Sequence, residues 1–298
     1  MVKHTQMQFE GFDCVKLENE QLALWVTTSI GPRVLGLSAF GRENMFVILP
    51  DAKYDHPGRE TYYFRGGHRL WYAPEKPEIT YIPDNQAVAF EEIENGVKLV
   101  QPVDEPSGVQ KSFGIRIADS SAEVEIDHFL TNLGNNPIDL APWAITQLRA
   151  GGVGIFPQQT GFDDEHGLLP NRHLVLWPYT KINSPQIHWG DEAVYLEANM
   201  TEGALKIGFP NPAGWLAYAL DGTLFVKRAI YHSDANYLDR RASSQCYSAP
   251  QFIELETLGA YVSLQPGETI RHQESWKIYS ESKWPEEIAA LYHGFVKE

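Results

Sequence analysis

Hydrophobic and polar residues alternate with a period of two along most of the chain, the pattern of strands that bury one face. The segment "CVKLENEQLALWVTT" (14–28) reads as strand, polar turn, strand. In "AVAFEEIENGVKLVQPV", Asn95-Gly96 sits between two alternating runs, and both residues tolerate the positive φ that a two-residue hairpin demands. Asp221-Gly222 repeats the device in "WLAYALDGTLFVKRAIY", and Pro266-Gly267 separates the last two strand candidates. Further strands are expected over 109–117, 122–131, 138–149, 193–199, 203–209 and 251–257. A helical pattern is confined to "WPEEIAALYHGF", where Pro285 suits a first turn and Glu286 and Glu287 sit at its positive end. Strands joined by hairpins at this density predict an all-β fold, a large antiparallel β-sandwich with a short C-terminal helix.

The Pro/Gly-rich stretches (50–59, 101–108, 157–170, 183–192, 210–214) are short and evenly spread, as loops are, so no linker divides the chain. With no internal repeat or low-complexity segment, one domain over 1–298 is expected, of a size common for large β domains. The formal net charge of -15 excludes a nucleic-acid partner unless a strong basic patch exists, and the longest basic cluster, "DRRAS" (239–243), has only two arginines. Cys14 and Cys246 are the only cysteines, which fits free thiols in a reducing compartment rather than a disulfide framework. The N-terminal "MVKHTQMQFEGFD" lacks an apolar signal core, and no apolar run approaches a bilayer span. A cytoplasmic protein without a membrane partner is expected, although a removed signal peptide would leave the same sequence. Oligomeric state is not legible.

Candidate chemistry gathers in three places. Aromatic residues make up 12% of the chain, with eight tryptophans, and Trp71, Trp143, Trp177 and Trp189 lie beside polar groups. Sugar rings have apolar C–H faces and polar rims, so such mixtures suit carbohydrate. "RGGHRLWYAPE" (65–75) concentrates Arg65, His68, Arg69, Trp71 and Glu75 in eleven residues. Its glycines allow close backbone approach to a ligand, and its guanidinium forks suit carboxylate, phosphate or vicinal hydroxyls. In "QFIELETLG", Glu254 and Glu256 are two apart on an expected strand and so project from one face. Lys227 and Tyr231 likewise share a face in "GTLFVKRAIYH", with Arg228 on the other. The plainer alternatives are core tryptophans, a turn histidine, an ion-paired arginine and a solvated edge strand.

The order of these motifs resembles the galactose mutarotase-like superfamily. "FIELETLG" followed by "VSLQPGETIRHQESW" is similar to its C-terminal end, and "RGGHRLWYAPE" resembles a strand-turn of the hexose-6-phosphate mutarotase branch. "TNLGNNPIDLAPWAIT" occupies the intermediate position. The resemblance implies a supersandwich fold, a sugar or acidic-sugar substrate, no cofactor, and aldose 1-epimerase (mutarotase) chemistry. It places Glu256 at the general-base position, with Glu254 as the competing register, and Arg65 at the anion-binding arginine. The family's general-acid histidine does not carry over, because Trp143 or a neighbour stands there. Either His68 or His232 supplies the proton, or the protein binds sugar without opening it. Among these histidines His68 is preferred for its company in 65–75, with Arg69 holding the ligand. A metal site from His68, Glu75, His232 and His272 lacks short-range ligand spacing, so none is expected. A third reading is a glycosidase or lyase, with Glu75 or Asp164 opposite Glu256. No GxGxxG or GxSxG motif points elsewhere.

Overall fold

The computed structural model describes residues 1–162 and 164–297. Among them the chain forms two antiparallel sheets, of 12 and 10 strands, with the main core between them. The centre of the larger sheet runs Arg33–Ala39, Tyr62–Ala73, Ile138–Arg149, Phe252–Leu258, Ser244–Ala249 and Leu205–Phe209, side by side. In the smaller sheet Thr223–Ala229, Thr269–Ser280, Glu123–Asn132 and Val109–Ile117 are consecutive neighbours. The hairpin turns fall where the sequence predicts them. Asn95 (φ 56) joins Ala89–Ile93 to Gly96–Val100, and Asp221 (φ 49) with Gly222 (φ 71) joins Trp215–Leu220 to Thr223–Ala229. The one long helix, Glu286–Lys297 among the described residues, packs against the smaller sheet, its Phe295 stacked on Tyr195 at 4.8 Å. No described helix is long and apolar enough to cross a membrane. Cys14 and Cys246 are buried and unpaired.

Alternation divides the central strands of the larger sheet into two faces. Leu70, Tyr72, Ala144, Leu148, Ile253 and Leu255 point into the core between the sheets. Trp71, Trp143, Ile145 and Leu258 point the other way and form a separate apolar cluster with Tyr62. One backbone feature sets which residue takes which side. Arg65, Gly66 and Gly67 have φ values of 60, 85 and 70°, three left-handed residues in succession inside the Tyr62–Ala73 strand. A Cβ on Gly66 would lie 1.9 Å from the Val47 carbonyl oxygen, and one on Gly67 2.2 Å from that of Val34. The paired glycines therefore serve the approach of neighbouring strands, where the sequence suggested approach to a ligand. Beyond this break the strand is regular, with Val34 opposite His68 and Arg33 opposite Arg69.

Candidate functional site

The outward face of the larger sheet carries a cavity of about 340 Å³ whose lining includes Arg69, Trp71, Glu75, Trp143, Gln147, Lys206 and Glu254. Strand register explains how residues so far apart in sequence meet. Gly67, Gln147, Glu254, Tyr247 and Lys206 form one cross-strand row over five adjacent strands. Arg69, Ile145, Glu256, Gln245 and Gly208 form the next row, and Trp71, Trp143 and Leu258 the one after.

Two ion pairs cross between these rows. Arg69 Nη2 donates to Glu254 Oε1 at 3.1 Å, and Gln147 Nε2 donates to the same oxygen at 2.8 Å. Lys206 Nζ donates to Glu256 Oε2 at 2.8 Å, and the Trp143 indole N–H donates to that oxygen at 2.7 Å. Both cations also lie over aromatic faces: Arg69 4.2 Å from the Trp71 ring, Lys206 4.7 and 4.8 Å from Trp143 and Trp177. The Trp71 indole N–H is held by the Tyr62 hydroxyl at 3.0 Å, and Glu75 accepts the Tyr81 hydroxyl at the exposed rim. Several valences are left over. Arg69 Nε and Nη1, Gln147 Oε1 and Glu256 Oε1 are buried with no hydrogen-bond partner among the described residues. Buried polar groups are ordinarily satisfied, and these atoms retain hydrogen-bonding capacity.

The two glutamates differ. Glu254 reaches the cavity, whereas Glu256 is 0% exposed and lies behind it. Burial pushes Glu254 up to about 7; Arg69 pulls against that rise and the Glu256 charge adds to it. Burial also pushes the phenols of Tyr179 and Tyr247 up, with neighbouring anionic groups adding to it, so both remain hydrogen-bond donors.

Arg69, Trp71, Glu75, Trp143, Glu254 and Glu256 are thus brought together as a group, with Trp177 beside them. The other expected residues lie elsewhere. His68 alternates with Arg69 and points into the core, where its Nδ1 meets Thr146 Oγ1 at 2.9 Å and its Nε2 meets His128 Nε2 at 2.8 Å. It does not face Glu256 across a cleft. Lys227 also enters the core, from the smaller sheet, and pairs with Glu274 at 2.8 Å, both groups 0% exposed. Tyr231 lies beyond the end of its strand and stacks on Tyr237, and His232 is exposed, its backbone N–H donating to the Tyr237 hydroxyl. Arg65 stands outside the cavity, bonded to Asn85 and stacked on Phe12 and Tyr63 at 4.9 Å each. Asp164 is half-buried and accepts the amides of His166, Leu168 and Leu169. His68, Glu75, His232 and His272 do not converge, although His68, His128 and Glu274 bring their ligand atoms within 4.8 Å of one another. There the Lys227 ammonium already supplies the positive charge.

Sequence reasoning missed Lys206, Gln147 and Tyr247. The available signal was phase: Lys206 alternates against Leu205, Ile207 and Phe209, and Gln147 against Thr146 and Leu148.

No family model and no curated protein matches the sequence. Solved structures do match in fold. A mutarotase candidate from Salmonella typhimurium is 12% identical over 93% of this chain and 94% of its own, at a TM-score of 0.57. A galactose mutarotase-like protein from Lactobacillus casei is 11% identical over 89% and 100%, at 0.54. A TPR-domain-containing protein from Parabacteroides distasonis is 14% identical at 0.62; the match covers 92% of this chain and 48% of that one. The two-sheet architecture and these matches along nearly the whole chain give the protein the fold of the galactose mutarotase-like superfamily.

Proposed function

We propose that the cavity binds a free aldose and exchanges its anomers, with Glu254 moving the anomeric proton. The observation that carries this reading is a carboxylate raised to about 7 at the floor of an aromatic-walled cavity, flanked by unsatisfied donors. A general base works best with a pKa near the working pH. In the opening step Glu254 takes the proton from the anomeric hydroxyl, the bond from C1 to the ring oxygen breaks, C1=O forms, and the ring oxygen is protonated. Rotation about C1–C2 and the reverse step deliver the other anomer. Atoms and electrons balance without a redox partner. Trp71 and Trp143 offer apolar faces to the ring, and Glu256, deeper and fully buried, holds Lys206 and Trp143 in place.

Charge favours a neutral sugar over the acidic one that the resemblance implies. Arg69 and Lys206 are each joined to a carboxylate, Glu75 adds a third acid, and Arg65 stands outside. A second reading, sugar binding without turnover, is favoured by a cavity lining that, among the described residues, includes no histidine.

The test is anomer-exchange NMR on a panel of neutral aldoses and sugar phosphates. Wild type is expected to accelerate exchange of a neutral aldose, and Glu254→Gln to lower it roughly 100- to 10,000-fold while binding persists. Binding without acceleration by wild type would establish the second reading, and full activity in Glu254→Gln would remove Glu254 from the mechanism.

A further inference from the structure

We infer that Lys206 is the general acid of the proposed reaction, giving its proton to the ring oxygen as Glu254 takes one from the anomeric hydroxyl; this rests on the reading above. Ring opening requires a donor on the ring oxygen at the moment C1–O breaks, since an alkoxide is a poor leaving group. The cavity offers few groups able to release a proton. Arg69 keeps its proton throughout the pH range of proteins. Tyr81, Tyr179 and Tyr247 are made weaker acids by burial, and Glu75 is an exposed carboxylate tied to Tyr81 at the rim. Lys206 remains.

Its surroundings suit the role. The side chain is 6% exposed, lies between the Trp143 and Trp177 rings, and finds one hydrogen-bond acceptor for its side-chain ammonium among the described residues, Glu256 Oε2 at 2.8 Å. An ammonium carries three N–H donors, so two are left for a ligand. Glu256 and the two indole faces hold the side-chain nitrogen in place beside the cavity. Lys206 and Glu254 also flank Tyr247 in a single cross-strand row. They stand two strands apart, about 10 Å between backbones, a span that two long side chains can close around one pyranose. In the step the Lys206 N–H bond breaks as O–H forms on the ring oxygen, leaving a neutral amine. Ring closure returns the proton.

The experiment compares Lys206→Met and Lys206→Arg with Glu254→Gln, reading exchange by NMR and sugar affinity by calorimetry. Lys206→Met is expected to lose roughly 100-fold or more in exchange, with affinity changed only a few-fold. Lys206→Arg keeps the charge and the Glu256 pair but cannot release the proton, so it is expected to stay near Lys206→Met. Should Lys206→Met fold poorly because Glu256 is left unpaired, Lys206→Met/Glu256→Gln removes both charges, and the same loss is expected. Wild-type exchange in Lys206→Arg would overturn the inference, because the charge alone would then suffice. Loss in Glu254→Gln together with wild-type exchange in Lys206→Arg isolates that failure. Absence of exchange in wild type would instead overturn the parent reading, and this inference with it.

Discussion

The same three strands of the larger sheet carry polar clusters on both faces, and the clusters differ in one respect. On the core side, Lys227 from the smaller sheet pairs with Glu274 and has Thr146 Oγ1 and the Ala144 and Leu255 carbonyls within hydrogen-bond reach, four acceptors around three N–H groups. His128 Nδ1 meets the His272 carbonyl at 2.9 Å and so must carry the hydrogen. Its Nε2 then accepts from His68 Nε2, and His68 Nδ1 accepts from Thr146. Thr257 donates to Glu274 and meets His272 Nε2, while the Trp276 indole N–H takes the remaining Glu274 oxygen. Every charge here has its partner, and burial pushes all three imidazoles towards the neutral form. On the cavity side, Arg69, Gln147 and Glu256 keep unfilled valences. A closed network fixes structure, whereas an open one keeps hydrogen-bonding capacity in reserve. That contrast, more than residue type, separates the buried histidines from the site.

The contrast can be broken from either side. The largest effect on folding is expected from Lys227→Met, which strands the Glu274 charge between the sheets. Removing one partner of a buried pair costs about 3–5 kcal/mol, measurable as a lower urea midpoint, and Lys227→Met/Glu274→Gln is expected to recover part of it. A comparable loss in Glu254→Gln would erase the distinction between the faces.

Acidity gives a smaller handle with opposite signs on the two sides. Glu254 is raised, so its stabilising contribution is present below its unfolded value and lost as pH rises through about 7, while ionisation switches on the proposed exchange. His68, His128 and His272 are lowered, so their contribution is present above the unfolded value of about 6.5 and lost as pH falls below it. Urea unfolding between pH 5 and 9 should show a Glu254 component that falls as pH rises to about 7 and is flat above it, opposed below about 6.5 by the histidine component, with Glu254→Gln abolishing the falling component alone. An unchanged pH dependence in that variant would assign the titration to another group. The smallest effect is expected from Arg65→Lys, which touches neither cluster: sugar and sugar-phosphate affinities should stay within about twofold, a few tenths of a kcal/mol. A selective loss of phosphate binding would restore the anion-binding role that the resemblance implies.

The strands and hairpins were legible because alternation and the Asn-Gly and Asp-Gly turns are local signals. Glu254, Glu256, Arg69 and Trp71 were legible as candidates for the same reason, since each pair shares a face two residues apart. The face itself was not. His68 and Arg69 are neighbours and must part, and which one enters the core depends on the left-handed break at 65–67. Lys227 looked like a cleft residue because a charge reads as exposed, and its partner Glu274 meets it only through pairing of the two strands. Lys206 escaped notice because its row with Glu254 exists only in the assembled sheet, fifty residues before the acid it pairs with.

The break at Arg65–Gly67 makes the site a matter of parity. Side chains of a strand take two alternating phases, and everything after Gly67 inherits its phase from those three residues. One residue added or lost between Gly67 and His68 would exchange the two memberships without altering composition, sending a guanidinium and an indole inward and an imidazole out. Divergence that tolerates many substitutions along this strand would therefore tolerate almost no change in its length, and a single-residue deletion is a sharper probe of it than any replacement.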